Sequence, residues 1–278
     1  MKVKGLFRGA LPLFVMIFSA FMLFSVTAGA QQLASVGEQA SLTVGEQASL
    51  IVGEQTVAQS VEQAEEPQKV EFGASGDIVS KYLWRGQNYA GISVQPSVWV
   101  GYKGFSFNVW GSAGFTKEDI AEVDLVLSYE NGGFYASITD YWCAYYGDGT
   151  KYFRYKSDET SHVFEATVGY DFGFLDVNWS TNFAGADGYT EKGRRAYSSY
   201  FQATVPFSLL TIDWDATVGF TPWATDYYYN ATGFAVCDVS LQATKEIRIS
   251  DKFSFSIFAK YCVNPSTMQT YFLGGLSF

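Results

Sequence analysis

Phe253-Ser254-Phe255-Ser256-Ile257-Phe258-Ala259-Lys260-Tyr261 carries an apolar or aromatic residue at every odd position and a polar one at most even positions. Side chains alternate across a strand, so one face of this ribbon prefers oil and the other tolerates water. Similar ribbons recur upstream and downstream, over residues 76–85, 92–102, 105–115, 120–129, 134–142, 162–170, 174–183, 197–205, 209–220, 233–245 and 269–278. Together with 253–263 they make twelve, and the last ends on Phe278. About nine to eleven tilted residues cross a bilayer's hydrocarbon as a strand, and these segments match that length.

Connector length alternates as well. Every second connector is short: Lys103-Gly104, Glu130-Asn131-Gly132-Gly133, Asp171-Phe172-Gly173, Pro206-Phe207-Ser208 and the longer 246–252. The others include the long stretches 143–161, 184–196 and 221–232. Tight turns on one side of a membrane and long loops on the other are the layout of an outer-membrane barrel. The expected fold is therefore all-β, a transmembrane antiparallel β-barrel of about twelve strands over residues 75–278. An even strand count leaves both ends of the barrel in the periplasm.

The chain opens Met1-Lys2-Val3-Lys4, with Arg8, an apolar run over 11–26 and the small-residue exit Ala28-Gly29-Ala30. That order reads as a secretory signal peptide over residues 1–30. Residues 31–74 are a different material. Val36-Gly37-Glu38-Gln39 recurs at Val44-Gly45-Glu46-Gln47 and Val52-Gly53-Glu54-Gln55, a period of eight. Glycine in each unit disfavours helix, and the segment has too little apolar surface to fold on; the expectation is a disordered periplasmic spacer.

Net charge is −10, and removing the three signal-peptide bases makes it −13. Such acidity argues against nucleic-acid binding. Aromatic residues reach 18%, more than a soluble domain needs but suited to the aromatic girdles of a barrel. Cys143, Cys237 and Cys262 are an odd count for an exported chain. Alternation puts Cys237 on the face of Val239 and Leu241, and Cys262 on that of Ser256 and Lys260, so a bridge between them is not expected.

Counting by twos gives the inward charges: Lys81, Arg85, Glu122, Asp124, Glu165, Asp176, Asp213, Asp215, Asp238 and Lys260. Seven acids face three bases. Their outward neighbours include Val123, Leu125, Ile212, Trp214, Ala216, Val239 and Leu241. A charge on the lipid face costs about 2–4 kcal/mol at mid-membrane, which explains the segregation. These ten residues are the expected pore lining. Alternatively the groups pair with one another, or an inward loop plugs the bore, because twelve strands lie between a packed barrel and an open porin. Two positions break the pattern: Pro96 cannot donate to a ladder, and Asp140 falls on the apolar face unless a bulge turns it.

Catalytic sets are not apparent. His162 is the only histidine, and Ser161 beside it points to the opposite face. No cofactor or metal site is expected, and the chain reads as a non-enzyme. Lys151-Tyr152-Phe153-Arg154-Tyr155-Lys156 and Lys192-Gly193-Arg194-Arg195 place bases and aromatics on the outer loops. Solvated loop tips account for them, as does contact with lipopolysaccharide phosphates. Tyr227-Tyr228-Tyr229 with Trp223 is a further candidate for ligand capture.

Ser80-Lys81-Tyr82-Leu83-Trp84-Arg85-Gly86 resembles the opening motif of the TorF-like porins, a family of conserved outer-membrane β-barrel proteins. Gly104-Phe105, Trp110-Gly111-Ser112, Glu122-x-Asp124 ahead of Tyr129, and Thr139-Asp140-Tyr141-Trp142 are similar to its later landmarks. The resemblance covers residues 76–146 and the terminal strand. It implies an outer-membrane barrel with a porin-like role and supplies no catalytic residue. Phe278, with Leu276 and Phe272 at alternating steps, also resembles the signal read by the outer-membrane assembly machinery.

The resulting expectation is passive diffusion of small polar solutes through a narrow, weakly cation-preferring lumen in the outer membrane of a Gram-negative bacterium. The alternative is a closed barrel acting through its outer loops.

Overall fold

A computed structural model of the chain describes residues 69–145, 149–156, 159–228, 231–251 and 253–278. The expected signal peptide and the octad repeats lie outside the described residues, as does Tyr229. The strands are β1 (Glu71–Val79), β2 (Tyr82–Trp84), β3 (Gln87–Ala90), β4 (Ser93–Tyr102), β5 (Phe105–Gly114), β6 (Ile120–Asn131) and β7 (Phe134–Tyr145). They continue as β8 (His162–Asp171), β9 (Asp176–Gly185), β10 (Ser199–Leu209), β11 (Ile212–Thr221), β12 (Ala235–Ser250), β13 (Phe253–Asn264) and β14 (Gln269–Ser277). Twelve of them, all but β2 and β3, pair antiparallel with their neighbours and close into a barrel in which β1 meets β14. β1 begins at Glu71, so the wall takes up the last residues of the stretch read as spacer.

The barrel is apolar outside and polar inside. Val98, Leu127, Ile138, Val168 and Val239 are among the large hydrophobics left exposed on its outer surface, while Asp238 beside Val239 is 2% exposed. Among the described residues, buried polar side chains number twenty and buried apolar ones twelve. A soluble barrel would reverse that balance, because its core is where apolar area must leave water. Outward aromatics form two belts. Phe105–Tyr129, Tyr170–Phe172, Phe207–Trp214 and Phe255–Phe278 pair near the tight turns. Phe164–Phe183, Trp179–Trp223, Phe201–Phe220 and Phe220–Phe234 pair toward the long connectors.

Both irregular prolines and the stray aspartate have local explanations. β4 pairs with β5 at Val94 and again at Ser97 in the same register, and the ladder is skipped at Gln95 and Pro96. No bulge is needed; the missing N–H simply leaves a gap. Pro206 lies inside β10 rather than in a turn, opposite Asp215 of β11. On its other side β9 pairs with β10 only as far as Thr204, so no ladder partner is lost there. The tight turn is instead Leu210-Thr211, with φ of 53° and 62°. Asp140 stays on the outward face, because β7 keeps an unbroken register with both β6 and β8. His162, on the adjacent strand and fully buried, answers it: Nδ1 lies 2.7 Å from Asp140 Oδ1. Its Nε2 lies 2.5 Å from the Tyr152 carbonyl oxygen, and Tyr155 stacks on the ring at 4.1 Å. The 149–156 connector thus folds over the outside of the wall and shields the pair.

Candidate functional site

The reading of 76–85 as one wall strand is corrected by the structure. β1 stops at Val79, and the chain turns inward as the hairpin β2–β3, which joins no wall strand. The turn is Arg85-Gly86, with φ of 48° and 73°, and glycine takes such values without strain. A Cβ at Gly86 would lie 1.9 Å from the Cys237 carbonyl oxygen of β12, so the tip rests directly on the far wall. Asn264 of β13 donates to the Gly86 carbonyl at 3.1 Å. At the other end Tyr82 packs against Trp110 of β5. The hairpin therefore crosses the bore from β5 to β12.

Arg85 is the anchor. Its two terminal nitrogens donate to Glu165 of β8 at 2.5 and 2.9 Å, a forked charge-assisted pair. The same nitrogens donate to the Tyr228 hydroxyl at 2.7 Å and the Ser180 hydroxyl at 2.8 Å. Its guanidinium stands over the rings of Trp84 at 4.3 Å and Tyr200 at 4.7 Å. Tyr141 donates to Glu165 Oε1 at 3.0 Å, completing the carboxylate's shell. A buried charge pair persists only when its remaining hydrogen-bonding capacity is met, and here it is.

The base of the hairpin is held by Asp119, just before β6. Its Oδ1 accepts from the Gly91 amide and its Oδ2 from the Thr116 amide, both at 2.8 Å. Those donations, Gly91's first, hold the Asp119 carboxyl below its ordinary value of 3.8. A depressed folded value means the contact stabilises above the ordinary carboxylate range and is lost as pH falls through the depressed value. Asp119→Asn should loosen the hairpin base at neutral pH. Its amide-exchange difference from the parent at Gly91 should vanish in strong acid.

The expected pore-lining residues divide into three groups. Arg85 and Glu165 meet at the hairpin tip, as described. Lys260 reaches Asp238 at 3.9 Å, and Glu122 touches Asp124. Asp176, Asp213 and Asp215 lie toward the turn end of the bore. Tyr135 donates to Asp176 at 2.9 Å, and Ser208 to Asp213 at 2.7 Å. Asp215, Gln242, Lys260 and Leu273 pair in sequence across four strands, forming one row on the inner wall. Lys81 departs from expectation: it lies in the bend between β1 and β2, not on a wall strand.

Asp77 was missed, although it shares the spacing-by-two of Lys81 and Arg85. It lies opposite Gln95 and Ser277 on the inner face of β1. Cys237 is also corrected. The β11–β12 register shifts between Gly219 and Phe220, which turns Cys237 inward against Tyr200 and Tyr228. Cys143, Cys237 and Cys262 are all free thiols. Of the outer-loop bases, Arg154 and Lys156 pair with Glu159, and Arg195 approaches Asp187 at 3.5 Å.

The hairpin divides the interior. On the turn side a cavity of about 340 Å³ is lined by Arg85, Glu165, Asn178, Gln202, Asp238 and Lys260. On the loop side a cavity of about 300 Å³ is lined by Trp84, Tyr89, Glu122, Tyr141, Cys143 and Tyr227, among others. Trp84 and Tyr141 border both. Chemically this is a charged, hydrogen-bonding bore with an aromatic partition across it. Comparison with protein-family models and with curated proteins returns no match.

Proposed function

We propose that the chain is a porin-like outer-membrane channel for small polar solutes, with a narrow, weakly cation-preferring lumen that the β2–β3 hairpin constricts. The observation that carries this reading is the acid-rich inner wall on the turn side of the hairpin, where Asp176, Asp213, Asp215 and Asp238 join Lys260 and the Arg85–Glu165 pair. An acidic, low-dielectric tube concentrates cations and repels anions. Supporting it are the apolar outer surface and the two aromatic belts, which suit a hydrocarbon slab with an interface on each side. The motif resemblance to TorF-like porins points the same way. In this setting the long connectors face lipopolysaccharide, the amino-terminal segment lies in the periplasm, and Phe278 is read by the assembly machinery of a Gram-negative outer membrane.

The test is bilayer recording of refolded protein across a salt gradient. Asp213→Asn combined with Asp215→Asn should cut cation preference several-fold, moving the reversal potential toward zero. An unchanged reversal potential would count against the lumen assignment. The occupied bore favours a second reading, a closed barrel acting through its outer connectors. That reading requires no conductance in any variant, including those that release the hairpin, together with loss of binding when connectors are deleted.

A further inference from the structure

We propose that the loop-side cavity is a binding site for a small organic cation of the alkylammonium class. Three tyrosines meet Trp84 edge to face around it: Tyr89 at 5.8 Å and 89°, Tyr141 at 5.7 Å and 63°, and Tyr227 at 6.4 Å and 81°. Rings set at steep angles about one indole line the cavity, beside the Arg85 guanidinium that stands over Trp84. Glu122 supplies the acidic group. It is 5% exposed, lines the cavity, and its Oε2 has no hydrogen-bond partner. Asp124 behind it, 7% exposed, likewise leaves Oδ1 unpartnered.

The local charge count is unbalanced. Arg85 is the cation at the partition, and both of its terminal nitrogens are committed to Glu165. Glu122, which lines the cavity, and Asp124, which touches Glu122 from behind, therefore have no counter-charge of their own. A buried carboxylate with an idle oxygen is costly unless it takes up a proton or something positive sits against it.

The walls decide which kind of cation. A hard metal ion takes six or more oxygen ligands, and a cavity lined by four aromatic rings and one carboxyl group is poorly suited to supply them. An alkylammonium is weakly hydrated, binds over aromatic faces, and needs only one acid to balance it. The space of about 300 Å³ admits a trimethylammonium head with a short polar tail. This names the solute class of the channel proposed above and rests on that reading for its purpose, although binding itself is measured without transport.

The full chain folded in detergent would be titrated with choline and with its uncharged carbon isostere, in which a tert-butyl group replaces trimethylammonium. Heat release and tryptophan emission report the binding. Choline should bind at least about tenfold more tightly than the isostere, since charge and ring faces act together. Glu122→Gln should weaken choline by about tenfold or more while leaving the isostere unchanged, and Tyr227→Leu, in a connector outside the wall, should weaken both.

Absence of choline binding overturns the proposal. So does equal affinity for the isostere, which would mean that the Glu122–Asp124 pair holds a proton and presents no charge. A Glu122→Gln protein that binds choline like the parent overturns it too. The two readings separate cleanly: choline binding with no conductance in any variant keeps the site and removes the channel, whereas conductance without choline binding does the reverse.

Discussion

Arg85→Ala should open the bore. The substitution strands Glu165, which is 1% exposed, without its forked partner, and breaking a buried pair from one side costs about 3–5 kcal/mol. The Tyr228 and Ser180 hydrogen bonds and the stacking over Trp84 and Tyr200 go with it. A hairpin joined to no wall strand then keeps only the Asn264 hydrogen bond and ring packing at its tip, so the docked population should fall by about two orders of magnitude. Bilayer conductance should rise several-fold, and tryptophan emission should shift red as Trp84 meets water. Arg85→Lys should fall between parent and alanine, because an ammonium keeps the charge but cannot make the planar fork. A conductance unchanged by Arg85→Ala would mean the hairpin does not limit passage.

Gly86→Ala should produce the same opening without touching any charge. The added Cβ would sit 1.9 Å from the Cys237 carbonyl oxygen, on rigid wall backbone, at a φ of 73° that L residues resist. The left-handed conformation alone costs about 1–2 kcal/mol, and relieving the clash requires the tip to lift off β12. Lifting it also breaks the Asn264 hydrogen bond to the Gly86 carbonyl. Conductance and emission should therefore follow the Arg85→Ala pattern, while heat-modifiable migration and strand circular dichroism stay at the parent's values. Opening by two unrelated routes identifies the hairpin, rather than the ion pair as such, as the constriction.

The wall was legible and the partition was not, for a physical reason. Spacing by two is a local property of a strand, so Asp213 and Asp215 against Ile212 and Trp214, or Asp238 against Val239, can be assigned from neighbours alone. The strand bounds follow from the same alternation, and a closed twelve-strand antiparallel barrel is what the structure contains. Lys81 and Arg85 against Tyr82 and Trp84 keep that parity too, which is why 76–85 reads as one strand. What turns it inward is Arg85 finding Glu165 eighty positions later, and no local pattern carries that pairing.

Cys237 fails differently. Parity inverts past a bulge, and the one opposite Gly219 and Phe220 leaves no mark in the sequence of β12. Asp140 teaches the converse. Its place on the outer face looked like a reason for a bulge, yet the wall keeps register and pays with a histidine on the next strand. His162 was legible as a lone histidine at a strand end, but its contact with Asp140 across the ladder leaves no local mark in the sequence.

The account depends on a greasy exterior and a wet, divided interior, and quenching by bromine-labelled lipid tests this most directly. Of the seven tryptophans, Trp179 faces outward beside Phe201, and Trp84 stands in the partition beneath Tyr141 and Tyr228. Two single-tryptophan proteins, one keeping Trp179 and the other Trp84, would be refolded into vesicles of brominated phosphatidylcholine. Strong quenching of Trp179 with Trp84 nearly unaffected is the predicted result. Strong quenching of Trp84 with Trp179 spared would contradict the account, because the polar face of the sheet would then be the one turned toward lipid.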